Sequence, residues 1–410
     1  MKKTIWYLTK YFSTGSTGSV GTRSWLILKK FAELGEQVVV VTSDSNHLSK
    51  NLDIQIREKH QKIDGIHIIW LRTFKYSIAK SFFRILSWIH FEWNLFWLRK
   101  SKLPNPDIII VSSLSLFTIL NGLLLKRKYK CKLVFEIRDI WPLTLTEEGG
   151  YSGYNLMVII LGLIEYWGYK KADLIVGTMP NLGEHVNNIL GYEKTVICIP
   201  MVVDPNFGRF HKKISEKYIE SYLNNTFFNI VYAGTIGITN ALETLFKAAE
   251  ILTNNVNIRF IIVGDGALRE RFRLKYGHLP NVVFAPKVDK DQVFSVLSNA
   301  DLVYFSVFNS KVWLYGQSLN KMIDYMLSGK PILGSYSGYQ TMINESGCGY
   351  YVPAEDVSAL VRKIKEIKGM TVVKRNSIGL RGRQWLLENR TVDKVAKIYL
   401  ESLSKICPLN

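Results

Sequence analysis

Cysteine is scarce in this chain of 410 residues. Cys131, Cys198, Cys348 and Cys407 lie far apart with no paired spacing, which argues against a disulfide framework or a cysteine zinc site and for reduced thiols in a cytosol. Long apolar runs are missing too. The longest, Leu156 to Ile164, falls well short of the roughly 20 residues a bilayer crossing needs. The apolar run after Met1-Lys2-Lys3 ends at Lys10, too soon for a signal-peptide core. His47, His60, His67, His90, His185, His211 and His278 show no ligand spacing, so no metal site is expected. Neither a G-x-x-x-x-G-K-[ST] loop nor a G-x-S-x-G elbow occurs. Acidic residues are few: 34 Asp and Glu stand against 53 Lys and Arg, a net charge of +19. That excess needs an anionic partner, nucleic acid or a membrane surface, and no nucleic-acid-binding signature accompanies it. What remains is a globular composition, 47% hydrophobic and without low-complexity segments, long enough for two domains.

The most informative stretch runs from Tyr315 to Gly334. It reads as a loop, a helix from about Ser318 to Leu327 with Ser318 as N-cap, a stop at Gly329-Lys330-Pro331, and the buried strand Ile332-Leu333-Gly334. Leu319, Met322, Ile323, Met326 and Leu327 recur at helical spacing, leaving Asn320, Lys321 and Asp324 on the other side. A helix start with a lysine in its first turn attracts phosphate, and an acid one turn on can accept hydrogen bonds from a ribose diol. The alternative is an ordinary amphipathic helix with a solvated face.

Along the chain, Thr4 to Leu8 reads as a buried strand, followed by a loop carrying Gly15, Gly18 and Gly21, a helix over Thr22 to Leu34, and a strand over Val38 to Thr42. The loop has the N–H-rich backbone that approaches phosphates. Its G-x-x-G-x-x-G spacing departs from the G-x-G-x-x-G of dinucleotide binders, despite Asp44 after the second strand. Ile66 to Leu71 is a strand. Beyond it Phe82, Ile85, Leu86, Ile89, Trp93, Phe96 and Trp97 recur at helical spacing, with Trp88 and Phe91 beside them and basic residues at both ends. So many large aromatics exceed one buried stripe, and partial membrane contact is expected; a core-packed helix is the alternative.

Further strands are expected at Asp107 to Val111, Leu133 to Glu136, Leu174 to Gly177 and Val196 to Pro200, and the polar, irregular stretch from Asp204 to about Asn225 reads as the domain boundary. The same alternation then restarts, with strands at Ile230 to Ala233, Phe260 to Val263, Val282 to Phe284, Leu302 to Phe305 and Ile332 to Gly334, and Ser377 to Lys405 is helical. Two doubly wound α/β halves imply a cleft faced by strand carboxyl ends. Arg138-Asp139 sits at such an end, with a structural ion pair as the alternative reading. Asp289-Lys290-Asp291 looks like a metal-binding D-x-D but reads better as a capping box with Gln292.

Together the N-terminal glycine loop, Glu136 to Pro142, Tyr232 to Gly237, Val263 to Gly266 and Ser318 through Pro331 resemble the family-4 retaining glycosyltransferases of GT-B fold, over nearly the whole chain. The Glu136–Pro142 and Ser318–Pro331 segments look most like bacterial O-antigen and capsule transferases, including those adding N-acetyl-L-fucosamine. The resemblance implies an acceptor domain over 1–205, a nucleotide-sugar donor domain over 206–384, and a final helix, 385–410, packing back on the first. It implies donor contacts from Gly18, Thr235, Gly237, Gly264, Val288, Ser318, Asn320, Lys321 and Asp324, with Gly18 at the diphosphate, Val288 beside the base and Asp324 on the ribose. Arg138 and Asp139 stand where many members carry a His-Asp pair near the reacting sugar, and with Lys321 form the expected catalytic set. No metal or cofactor is implied beyond a UDP-sugar donor substrate.

Three positions depart from the family pattern. The first acid of the E-x7-E motif falls on Gly316, and the basic pair that commonly clamps the diphosphate falls on Thr235 and Asn240. Lys321 is then the remaining cation for the leaving group, and the lost acid fits a donor lacking a hydroxyl there, such as an N-acetylated deoxy amino sugar. The expected activity is transfer from a UDP-sugar to a polyprenyl-diphosphate-linked glycan, in the cytoplasm and peripheral on the inner face of the cell membrane. The competing readings are a UDP-sugar 2-epimerase of the same fold and a catalytically inactive nucleotide-sugar-binding scaffold.

Overall fold

The computed structural model describes residues 2–15, 22–45, 54–76, 82–113, 115–204, 207 and 211–408. The chain divides into two compact units, 1–202 with 392–410, and 203–391.

The first unit contains β1 (Thr4–Leu8), α1 (Arg23–Glu33), β2 (Gln37–Ser43), β3 (Glu58–Ile63), β4 (Ile66–Leu71), α2 (Phe82–Phe96), β5 (Ile108–Ser112), α3 (Thr118–Tyr129), β6 (Lys132–Ile137), α4 (Leu143–Glu147), α5 (Leu156–Lys171), β7 (Leu174–Gly177), α6 (Leu182–Leu190) and β8 (Val196–Cys198). Its eight-stranded sheet has the order β3-β4-β2-β1-β5-β6-β7-β8. Ladders are parallel except for the β3–β4 edge hairpin, whose polar sequence EKHQKI gave no strand signal. The central strands are apolar on both faces, as in β5 with its fully buried Ile108-Ile109-Ile110-Val111, because helices cover the sheet on both sides. Right-handed crossovers place α1 on one face and α2, α3 and α5 side by side on the other.

The second unit contains α7 (Glu216–Tyr222), β9 (Phe228–Ala233), α8 (Glu243–Ile251), β10 (Ile258–Val263), α9 (Arg269–Tyr276), β11 (Val282–Ala285), α10 (Val293–Ser298), β12 (Leu302–Ser306), α11 (Lys321–Leu327), β13 (Ile332–Ser335), α12 (Met342–Ser346), β14 (Gly349–Val352), α13 (Val357–Gly369) and α14 (Val372–Asn389). Its six strands pair in parallel in the order β11-β10-β9-β12-β13-β14. Strand order reverses between β9 and β12, so the crevice beyond their carboxyl ends is where this topology accepts ligands.

A last helix, α15 (Val392–Ile406), belongs to the first unit, where Val395, Ala396, Tyr399 and Leu403 join the core of α1, β1 and β2. The helix read as continuous over Ser377 to Lys405 is therefore two. The break falls at Arg390-Thr391, where Thr391 bridges to Val203, so residues 385–391 stay with the second unit.

Candidate functional site

In the second unit the site is built on a lock between α11 and the central strand. The buried Tyr325 hydroxyl accepts from the Ala233 N–H at 3.2 Å and donates to the Ala233 carbonyl at 3.0 Å. This fixes α11 against the carboxyl end of β9 and aims Lys321, its first residue, at the switch point. The Lys321 ammonium donates to the Tyr232 hydroxyl at 3.2 Å and to Asn240 Oδ1, and lies 4.8 Å from the Tyr232 ring centre. The Tyr232 hydroxyl donates in turn to the Thr235 carbonyl at 2.5 Å, and Ser306, ending β12, donates to the Asn240 carbonyl at 2.8 Å. Both partners of the ammonium are uncharged, and burial pulls its pKa down to about 8. Among the described residues, two of its three N–H groups have acceptors, and the third is open to a ligand.

The glycine turns after β9 and β10 close on each other. Gly234 N–H donates to the Val263 carbonyl at 3.0 Å and Ile236 N–H to the Asp265 carbonyl at 2.8 Å. Gly264 has φ +144°, and a Cβ there would stand 1.8 Å from the Gly234 oxygen, so a side chain is excluded by the neighbouring strand itself. Arg269 straps this turn to the next, donating to the Gly264 carbonyl at 2.6 Å and the Ala285 carbonyl at 3.0 Å. Gly237 differs: a Cβ would meet nothing nearer than 3.7 Å.

The structure thus gathers Thr235, Gly237, Gly264 and Lys321 at one strand end. Other expected donor contacts lie differently. α11 begins at Lys321, not at Ser318, and its N-cap is Asn320 with no side-chain cap; the preceding residues are held in a loop, and the first-turn N–H groups of Met322 and Ile323 already donate to the carbonyls of Leu319 and Asn320. Ser318 is therefore not a cap, and the helix start offers phosphate fewer N–H groups than expected. Asp324 is ion-paired with Lys290, and Val288 packs its side chain against the unit's core. Asp289 and Gln292 form the expected capping box: Asp289 N–H donates to Gln292 Oε1 at 3.3 Å, and the Asp289 side chain accepts from the Gln292 N–H. Gly18 lies outside the described residues. Sequence reasoning missed Tyr232, which reads as core inside a strand, and Asn240, noted there only for the basic residue it lacks.

In the first unit Arg138 and Asp139 follow β6, but among the described residues no ion pair joins them. Asp139 accepts from Trp141 Nε1 at 2.9 Å and Thr144 Oγ1 at 2.7 Å, closing the turn into α4. Arg138 donates to Ser24 Oγ at 3.2 Å beside the buried Arg23–Glu136 pair, and burial together with Arg23 lowers its pKa. At the end of β1, Lys10 is wholly buried and donates to Ser87 Oγ at 2.9 Å, its pKa drawn down to about 7 by burial. Nearby Glu92 is pushed up to about 7 by burial while accepting from Thr118, Asn121 and Ser115. Burial shifts both groups, and sequence reasoning singled out neither. Among the described residues no cluster of three or more potential ligands could hold a metal ion.

Residues 228–368 match the family described as Glycosyl transferases group 1. No curated protein matches the chain's sequence. Solved structures match it along nearly its whole length. Sucrose-phosphate synthase from Thermosynechococcus elongatus superposes with TM-score 0.74 at 14% identity, covering 99% of each chain. A glycosyltransferase from Rickettsia africae gives 0.66 at 16% identity, covering 100% of each. Anabaena HepE in complex with UDP-glucose gives 0.66 at 14% identity, covering 98% of this chain and 100% of that one. The chain accordingly has the GT-B fold, two α/β units with mainly parallel sheets, and is a glycosyltransferase.

Proposed function

We propose that this protein is a retaining glycosyltransferase that moves a sugar, an N-acetylated deoxy amino sugar by preference, from a UDP-sugar to a polyprenyl-diphosphate-linked glycan of O-antigen or capsule type. In this reading the second unit binds the donor and the first binds the acceptor. The observation that carries it is the Lys321 ammonium, held by Tyr232 and Asn240 at the switch point of the second sheet. As the glycosyl–phosphate bond breaks, negative charge grows on the diphosphate, and a positioned ammonium stabilises it in the transition state more than in the bound donor. Lys321 supplies the charge that the family's clamp residues supply elsewhere, and Asn240, in one of their places, orients it. The acceptor oxygen attacks the anomeric carbon from the face the phosphate leaves, and the departing phosphate takes the acceptor proton. Arg138 and Asp139 act on the acceptor side, Arg138 as a cation and Asp139 by shaping the turn. Asp324 exchanges Lys290 for the ribose diol when nucleotide binds.

UDP as the nucleotide is supported by HepE, solved with UDP-glucose. Gly316, with φ +109° and no side chain, offers the donor sugar no carboxylate, which suits a sugar lacking a hydroxyl at that point. A lipid-linked acceptor at an anionic membrane surface is supported by the net charge of +19 and by α2. That helix buries Trp88, Phe91 and Leu95 and leaves Phe83, Ile89, Trp93 and Phe96 exposed, and Trp97, just after it, is exposed too. Among the described residues no helix is long and apolar enough to cross a membrane.

The test is nucleotide release. Full-length protein given UDP-sugars should release UDP mainly when the polyprenyl-diphosphate-linked acceptor is present in detergent, and Lys321→Ala should lower kcat by about 10²-fold or more. Isomerised sugar without acceptor would establish the epimerase reading instead. Tight donor binding with neither release nor isomerisation would establish the scaffold.

A further inference from the structure

The first unit carries a second apolar surface that the transfer chemistry does not use. Helix α5 exposes Leu156, Ile159, Ile160, Leu163 and Trp167, a row at helical spacing on its solvent side. Beside it α3 exposes Leu120 and Leu124. Between the two helices lies a pocket of about 920 Å³, within the usual range for ligand pockets, with Leu120, Leu124, Leu163 and Trp167 among its walls.

The rim of this pocket is cationic. Arg127, Lys130, Lys132 and Lys171 line it, together with Lys126. Among the described residues its only acidic lining residue, Asp173, is taken up by Lys126 at 2.7 Å. Lys170 and Lys171 lie 5.5 and 5.8 Å from the Trp167 ring, with their charges beside an exposed indole. Apolar walls under a ring of cations complement a molecule with a hydrocarbon body and an anionic head. A protein partner of ordinary composition would not need four cations around an apolar slot.

We propose that the α3–α5 pocket seats an acyl chain of an anionic phospholipid, with the phosphate held by Arg127, Lys130, Lys132 and Lys171. The pocket adjoins α2 through α3, so the lipid seat continues the aromatic stripe, and the three helices present one apolar, basic side to a bilayer. The proposal deepens the membrane-surface part of the function above and rests on that reading for its choice of a bilayer as the source of the lipid.

The experiment is co-sedimentation of the full chain with phosphatidylcholine vesicles, with and without phosphatidylglycerol. The wild type should bind the anionic vesicles at least tenfold more tightly. Arg127→Glu with Lys130→Glu should remove that preference, and Leu124→Asp with Leu163→Asp should remove most binding to both vesicle types. These four residues sit on the surface of their helices or in the rim, and circular dichroism and thermal melting check that each variant is folded. Acyl-brominated phospholipid should quench the protein's tryptophan fluorescence, and Trp167→Phe should diminish that quenching. Wall and rim variants that bind like wild type would overturn the proposal, even if Trp93→Ser with Trp97→Ser abolished binding through α2. So would a dimer in sedimentation velocity that Leu163→Asp dissociates, because the pocket would then seat a second copy of the chain. UDP release in detergent is scored separately, so failure of the transferase reading shows there and not in the vesicle assay.

Discussion

Lys321 is poised between charge states. Its usual pKa near 10.5 is drawn to about 8 by burial, because neither Tyr232 nor Asn240 returns a full charge for the water lost. A diphosphate beside it favours the charged form and must raise that pKa. Above pH 8 the free protein has then released a proton that the complex retains, so donor binding takes one up and weakens as pH rises, by at most about tenfold per unit. Below pH 8 the ammonium is charged in both states and the dependence flattens. Calorimetric titration with UDP in two buffers of different ionisation heat should show uptake near pH 9 in the wild type and none in Lys321→Met. Asn240→Ala, which removes one acceptor and keeps the charge, should lower kcat by about tenfold while leaving proton uptake in place. Lys321 could be picked out in the sequence because it stands in the first turn of a recognisable helix, where a cation reads as a phosphate site. Tyr232 could not, since a tyrosine inside an apolar strand looks the same whether its hydroxyl ends in the core or, as here, at a strand tip.

The turns after β9 and β10 show which glycines serve the fold and which leave room for a ligand. Gly264→Ala places a Cβ 1.8 Å from a backbone oxygen at φ +144°, and should destabilise the second unit by about 3 kcal/mol or more, read as a lowered thermal midpoint. Gly237→Ala has ordinary space around it at φ −125° and should leave the midpoint within about 0.5 kcal/mol of wild type. If Gly237 borders the bound diphosphate, the same variant should lose UDP affinity by tenfold or more in the same titration. At this scale the sequence is most legible where strands are buried on both faces: β1, β5 and β9 declare themselves as short unbroken apolar runs. It is least legible at the sheet edges. β3 is polar because one side of it meets only solvent, and β14, four residues long, is indistinguishable from loop. The start of α11 misled for another reason. Ser318 has the chemistry of a cap, but the backbone enters its helical turn two residues later, at Asn320.

Across the whole molecule, the chain's last helix finishes the first unit's core. Tyr399 packs edge-on against Phe31 at 5.5 Å, and its hydroxyl donates to Glu136 Oε2 at 3.2 Å from 263 residues away. Glu136 also accepts from Tyr7 at 2.9 Å and pairs with Arg23 at 3.2 Å. Burial alone would raise its pKa, but Arg23 and Arg138 outweigh burial and hold it below the usual carboxylate value. That depressed pKa means Glu136 stabilises the fold above the ordinary carboxylate range and stops doing so as acid protonates it. Deleting residues 392–410 removes Val392, Val395, Ala396, Tyr399 and Leu403 from the core at once. At roughly 1.5–3 kcal/mol for each large apolar side chain, the loss rivals the roughly 5–15 kcal/mol that holds a whole domain together. Tyr399→Phe, which costs one hydrogen bond, should remove only about 1 kcal/mol. Limited proteolysis should therefore cut the first unit of the truncated chain readily and leave a resistant fragment from the second, whereas Tyr399→Phe should protect both. Because α15 is made after the whole second unit, the first unit should also gain its protease resistance after the second during synthesis, although its strands are made first. A first unit already resistant before residue 392 has emerged would show that α1 and the sheet close that core without α15.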